Sequence, residues 1–325
     1  MTSHLRATRR AAMIAAAFAV LIGAPPIATA GDSIAVGKAV ASAWPFTPID
    51  VGVELGIFKK HGFDKVDIVS FGGDAKLQQA LLTKDIDFGL GSGPGMAFNA
   101  KGGGAITIAA YFLAPRNLGV AVPADSTLTP AGFKGKKLAV STPGSLTYWL
   151  TQRLSDKMGW GMNGIIPVPL DAPPARFAAL RTHQVDGIVN STELTFSLQE
   201  KDHVKEIYNF GDLVPKFITD VVDARKDLTT DKPDMVRRFL AAWLETTEYM
   251  HMHKDKTVDI TARVLDHPTA LMARIYDWEM PEFSRTDRFD PEAVALLKQS
   301  FIDMKELDRK PADSELFTEA FLPKP

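Results

Sequence analysis

Residues 80–92 read ALLTKDIDFGLGS, and residues 179–191 read ALRTHQVDGIVNS. Set 99 positions apart, they share Ala80/Ala179, Leu81/Leu180, Thr83/Thr182, Asp87/Asp186 and Ser92/Ser191. The alignment runs without a gap over 42–94 and 141–193, adding Ser42/Ser141, Leu55/Leu154, Gly62/Gly161 and Val69/Val168. Nine identities in 53 positions compare with about three expected from average composition. A repeat at a fixed offset means one structural unit used twice.

Each copy has the same internal order. An apolar run, ending at Trp44 in the first copy and in KKLAVSTPG in the second, leads into a helical pattern over about 48–61 or 146–158. Gly62 stops the first pattern and Gly159 with Gly161 the second, because glycine takes the left-handed cap without steric cost. The strands VDIVSF and IIPVPL follow, then helices over 74–83 and 174–182, then the strands IDFGLG and VDGIVN. Strands alternating with helices of this length predict βαβ units, parallel sheets and right-handed crossovers. Further strand-like runs are AITIAAYF, NLGVAVP, KEIYNF and FITDVVDA. From Pro233 the pattern turns helical, with Phe239, Ala242, Trp243 and Met250 on one stripe, and further helices near 255–266, 269–280, 290–306 and 313–321. We expect an α/β protein of two doubly wound lobes, one of 31–115 plus 218–325 and one of 116–217. Two chain crossings between them would make a two-strand hinge.

Composition fits this reading. At 325 residues a single core is near its upper size, and 46% hydrophobic with 23% charged residues excludes disorder and coiled coil. The absence of cysteine excludes disulfides, thiolate metal sites and a thiol nucleophile. With 37 basic against 39 acidic residues there is no basic field for nucleic acid. The N-terminus carries Arg6, Arg9 and Arg10, the apolar run AAMIAAAFAVLIGA, and Ala28-Thr29-Ala30. This is the pattern of a cleavable secretory signal over 1–30, cut after Ala30. Ala11-Ala12 after the arginine pair is a poor match to a twin-arginine export motif, and no cysteine follows the cut to carry a lipid. Losing three arginines leaves 34 basic against 39 acidic residues, a mature charge of −5.

In open parallel sheets ligands bind beyond the carboxyl ends of the strands. The loops expected there hold small hydroxyl and glycine residues at helix starts, which favour an anionic or polar ligand. The same residues equally serve as ordinary helix caps. Trp44 and Phe46 flank Pro45, placed to wall a ligand or to pack into the core. Asp74 and Glu193 are placed to accept from a ligand amine or hydroxyl, or to complement helix dipoles. Arg116, near the first crossing, offers a bidentate fork for a carboxylate or sulfonate.

The spacing from Pro48 through Gly56, Phe58 and Gly62 to Phe63 resembles the periplasmic binding proteins of nitrate, sulfonate and taurine ABC transporters. So do QQALLTKDIDFGLGS, FKGKKLAVSTPGS and AALRTHQVDGIVNS. Thiamine-pyrimidine-precursor binders share the pattern. The resemblance, over roughly 34–250, implies a type II periplasmic binding fold, a small-molecule ligand, and a monomer delivering to an ABC transporter permease and its ATPase. It carries cleft contacts by loop position onto Trp44, Phe46, Gly73, Ser92, Ser141, Thr142, Ser145 and Asn190. A receptor-docking sensor, or a binder of an aromatic or pyrimidine compound, is the alternative. The cysteine-rich stretch of the pyrimidine-synthase branch is absent. With no G-x-S-x-G elbow, Walker lysine or H-E-x-x-H, we expect no enzyme, cofactor or metal. GLGSGPG has its glycines at alternate positions rather than in dinucleotide spacing.

Overall fold

The computed structural model describes residues 31–324 apart from 144, 171, 172 and 202, so the expected signal over 1–30 lies outside the described residues. In chain order the first half contains β1 (Asp32–Lys38), α1 (Pro48–Glu54), α2 (Ile57–Lys60), β2 (Phe63–Ser70), α3 (Asp74–Thr83), β3 (Phe88–Ser92), α4 (Ala97–Ala100) and β4 (Ala105–Phe112). The second half contains β5 (Leu118–Pro123), β6 (Lys137–Val140), α5 (Leu146–Lys157), β7 (Ile166–Pro169), α6 (Pro173–Arg181), β8 (Gly187–Ser191), α7 (Thr192–Gln199) and β9 (Val204–Asn209). The chain then returns through β10 (Asp220–Arg225), α8 (Leu228–Asp231), α9 (Pro233–Met252), α10 (Lys254–Leu265), α11 (Thr269–Glu279), α12 (Pro291–Asp303) and α13 (Asp313–Leu316).

Two five-stranded sheets result, ordered β2-β1-β3-β10-β4 and β7-β6-β8-β5-β9. In the first, β1 runs parallel to β2 and β3, and β10 runs antiparallel to β3 and β4. In the second, β6 runs parallel to β7 and β8, and β5 runs antiparallel to β8 and β9. The strand order repeats position for position. β3 and β8 sit 99 residues apart at both ends. The antiparallel strand of each sheet is the one that has just crossed from the other half.

Apolar side chains fix these layers. The stripe on α9 is fully buried at Phe239, Ala242, Trp243 and Met250, and Phe239 stacks on Phe88 of β3 at 3.8 Å between ring centroids. In the second half Trp149 of α5 stacks on Phe217 at 5.0 Å and donates Nε1 to Asp303, which ends α12. Burying such aromatics contributes roughly 2–3 kcal/mol each. Two helices differ from expectation. The pattern over 48–61 breaks into α1 and α2 because Gly56 takes the left-handed conformation, with φ of 71°. The pattern over 313–321 shortens to α13, because Phe317 is extended and bridges to Thr107 of β4.

Candidate ligand-binding cleft

The two crossings lie side by side. Phe217 N–H donates to the Leu113 carbonyl at 2.9 Å, and Thr219 N–H donates to the Phe112 carbonyl at 2.9 Å. The Arg116 carbonyl collects the Asn209 side-chain amide at 3.0 Å and Trp278 Nε1 at 2.9 Å. At these crossings the first residue of β10, Asp220, pairs with Ser92 at the end of β3, and the first residue of β5, Leu118, pairs with Ser191 at the end of β8.

In the loop between β2 and α3, Gly73 holds φ of 121° and lets α3 begin on Asp74, which faces the end of β3. Asp74 accepts from Ser92 N–H at 2.9 Å and from Ser92 Oγ at 2.8 Å. Ser92 Oγ in turn accepts from Gly95 N–H at 3.2 Å. A Cβ at Gly91 or at Gly95 would lie 2.9 Å from Asp74 Oδ1. The alternating glycines of GLGSGPG therefore fold the loop around a carboxyl group rather than a phosphate. Burial raises the Asp74 pKa, opposed by its bonds from Ser92.

The matching loop of the second half is built from hydroxyls. Ser141 Oγ lies 2.9 Å from Ser145 Oγ and 2.8 Å from Thr147 Oγ1, and the latter two are 3.0 Å apart. Ser145 caps α5 by accepting from Tyr148 N–H, while Thr142 is exposed. Asn190, at the end of β8, is buried, and neither its carboxamide nitrogen nor its oxygen has a hydrogen-bond partner.

Among the bonds between the halves, Glu193, in the first turn of α7, accepts from Trp44 N–H at 2.7 Å. Glu193 is buried, which raises its pKa against the bond from Trp44. Trp44 is fully buried with its ring edge-on to Tyr276 and Phe283, and its indole N–H has no partner. Phe46 is also buried in the core of the first half. Arg116 is a third exposed and is ion-paired to Glu282 at 2.8 Å and to Asp212 at 3.2 Å, so its fork is already occupied.

Sequence reasoning passed over Asp220, Glu279 and Tyr111. Asp220 opens β10 opposite Ser92 and Phe112, and is buried with Oδ2 unpartnered. Glu279 ends α11, has no exposed surface, and neither carboxylate oxygen makes a hydrogen bond of good geometry. Tyr111 is fully buried with its hydroxyl unpartnered. The signal available was an Asp inside an apolar strand run, since charged residues are almost never fully buried without a partner. Among the described residues no group of three or more His, Asp or Glu is arranged to hold a metal ion.

Two repeated α/β halves joined by two crossings define the bilobal binding-protein fold. The aliphatic sulphonate binding protein SsuA of Escherichia coli superimposes with a TM-score of 0.76 at 18% identity, covering 88% of this chain and 92% of its own. The nitrate-binding protein NrtA of Synechocystis PCC 6803 gives 0.71 at 13% identity, covering 90% and 88%. A protein of Brucella abortus (strain 2308) described as a binding protein is 26% identical over 232 residues, 70% of each chain. The family model described as NMT1/THI5 like matches residues 44–257, well over half of the sequence, and the chain belongs to that family.

Proposed function

We propose that this chain is an exported solute-binding protein that holds a small molecule between its lobes and hands it unchanged to an ABC importer. The lobes are 31–115 with 218–325, and 116–217. The observation that carries the reading is the Trp44–Glu193 bond between the halves, set among buried polar atoms that have no protein partner. Buried polar groups are normally satisfied, so groups left open in a closed cleft are groups a ligand satisfies. The likeness to sulphonate- and nitrate-binding proteins supports a small cargo and a periplasmic location. The hydroxyls of Ser141, Ser145 and Thr147 at the start of α5 favour an oxyanion, while the buried carboxyls favour a cation.

Small-angle scattering before and after addition of a periplasmic extract tests the reading. A ligand-dependent decrease in the radius of gyration, with the ligand recovered unaltered by mass spectrometry, is the expected result. A protein that keeps one shape throughout, or that converts the recovered compound, would refute it. N-terminal sequencing of the mature protein tests export, with Gly31 as the expected first residue.

A further inference from the structure

We propose that the cleft recognises a cationic head group, an ammonium or amidinium, through Asp220 and Glu279. This rests on the solute-binding reading and adds the charge of the cargo.

The argument begins with which buried carboxyls are already compensated. Asp223 accepts from Gln78 Nε2 at 2.9 Å and from Thr107 Oγ1 at 2.6 Å. Asp287 accepts from Trp243 Nε1 at 3.0 Å, and Asp74 takes both bonds from Ser92. Glu193 has the Trp44 N–H. Asp220 Oδ2 and both oxygens of Glu279 have nothing comparable, although Asp220 is only 5% exposed and Glu279 0%. Among the described residues no lysine, arginine or histidine forms an ion pair with Asp220, Glu279 or Glu193. The buried Lys38 of β1 is held by Asp50 instead.

These acids form one set contributed by different parts of the chain. Asp220 pairs in register with Phe112, Phe112 bridges to Phe283, and Phe283 lies against the Trp44 ring whose backbone N–H reaches Glu193. Glu279 lies four residues before Phe283. Burial, and then the neighbouring charges of Asp74 and Glu193, raise the Asp220 pKa well above the carboxylate range. Burial, then Glu193, raises that of Glu279, with Asp220 adding to it and the Thr192 hydroxyl opposing. Tyr111 of β4, the residue before Phe112, adds a fully buried hydroxyl without a partner.

Removing carboxylates from water without a counter-charge costs several kcal/mol per ion. A ligand ammonium or amidinium supplies the missing donors and the missing charge together, and such charge-assisted bonds are the strong ones. An oxyanion supplies only acceptors, so it is tolerated there only if both acids are protonated. The two cases respond oppositely to amide substitution, because Asn and Gln imitate the protonated acid.

Calorimetric titration at pH 7.5 decides between them, using agmatine, putrescine and benzamidine against ethanesulfonate and nitrate. We expect at least one cation to bind the wild-type protein. The variant Asp220→Asn with Glu279→Gln should lose roughly 10- to 100-fold in affinity for it, in line with loss of charged hydrogen bonds. That variant should melt at or above the wild-type temperature, because the cost of burying the two acids, as unpaired charge or as bound protons, is removed; the two single variants serve if the pair misfolds. An oxyanion bound equally by wild type and variant, or cation affinity unmoved by the substitutions, would overturn the proposal. A protein that closes on periplasmic extract but on none of the cations overturns it while the solute-binding reading stands. Closure on neither defeats both.

Discussion

At the ends of β3 and β8 the chain stands at the same point of the same repeat, on Ser92 and Ser191, yet the two places are built differently. Ser92 spends its N–H and hydroxyl on the Asp74 carboxyl. The position matching Asp74 in the second half is Pro173, and the polar groups there are the hydroxyls of Ser141, Ser145 and Thr147 in the neighbouring loop. The backbone repeats and the charge does not. Around the first sheet Asp220, Asp223 and Asp287 are buried and Asp74 is half-buried, and all four have raised pKa values. A neutral hydroxyl cluster is indifferent to pH, whereas a set of buried acids makes its half of the molecule pH-dependent. One scaffold thus carries an acidic wall around the first sheet and a neutral one at the start of α5, with Glu193 the buried acid that the second half sends to Trp44.

The sharpest way to break this contrast is Asp287→Asn. Burial pushes the Asp287 pKa up to about 8, opposed by the bond from Trp243, and raises Asp223 to about 6. In the unfolded chain both titrate near 4. A folded pKa above the unfolded one means that stability is fully present below about pH 4 and is lost as pH rises through the folded value. Each unit of difference is worth about 1.4 kcal/mol, so the loss from Asp287 between pH 4 and 8 is on the order of a few kcal/mol. Asparagine still accepts from Trp243 and tolerates the left-handed φ of 53° at this position. Urea midpoints measured from pH 4 to 9 should therefore slope less in the variant, and the variant should be the more stable protein at pH 8. Parallel curves for the two proteins would contradict the acidic-wall description.

Asp74→Ala comes next. It leaves the Ser92 N–H and hydroxyl without their acceptor at a half-buried site, with an expected loss of about 1–3 kcal/mol in denaturant midpoint. The alternate glycines close around the Asp74 carboxyl and cannot reposition without opening the loop, so Asp74→Asn should recover part of the loss through its remaining acceptor oxygen. An alanine variant as stable as wild type would mean that the carboxyl does not organise this loop.

Much of the fold was legible because its cause is local. Runs such as AITIAAYF bury every side chain in β4, and β3 and β8 follow from the repeat itself. The break at Gly56 was not legible, since a glycine inside a helical pattern is compatible with a continuous helix until the packing of Phe58 against Phe63 and Phe239 turns the chain. The candidate site was half legible. Asp74, Ser92, Ser141, Ser145, Asn190 and Glu193 lie at strand ends and helix starts that any βαβ reading locates. Trp44 was open between ligand wall and core because its ring neighbours, Tyr276 and Phe283, are more than 200 residues away. Asp220 and Glu279 were missed for the same reason: their neighbourhood is created by the return of the chain through β10 and α11, which no spacing encodes.

The neutral side of the comparison gives the smallest effect. Ser145→Ala removes the α5 cap at Tyr148 N–H and one corner of the hydroxyl triangle. Replacing a serine N-cap by alanine costs about 0.5–2 kcal/mol, and at this half-buried position water can take over part of the lost bonding, which places the expected loss at the low end. The loss should be the same at pH 5 and pH 8, because no group in the triangle titrates in that range. The two substitutions thus differ in kind as well as size: Asp74→Ala alters a group whose pKa is shifted by burial, and Ser145→Ala does not. Urea midpoints at both pH values check this. A Ser145→Ala penalty that changed with pH would show that the hydroxyl loop is electrostatically coupled to the acids of the first sheet, and the division into an acidic and a neutral wall would have to be abandoned.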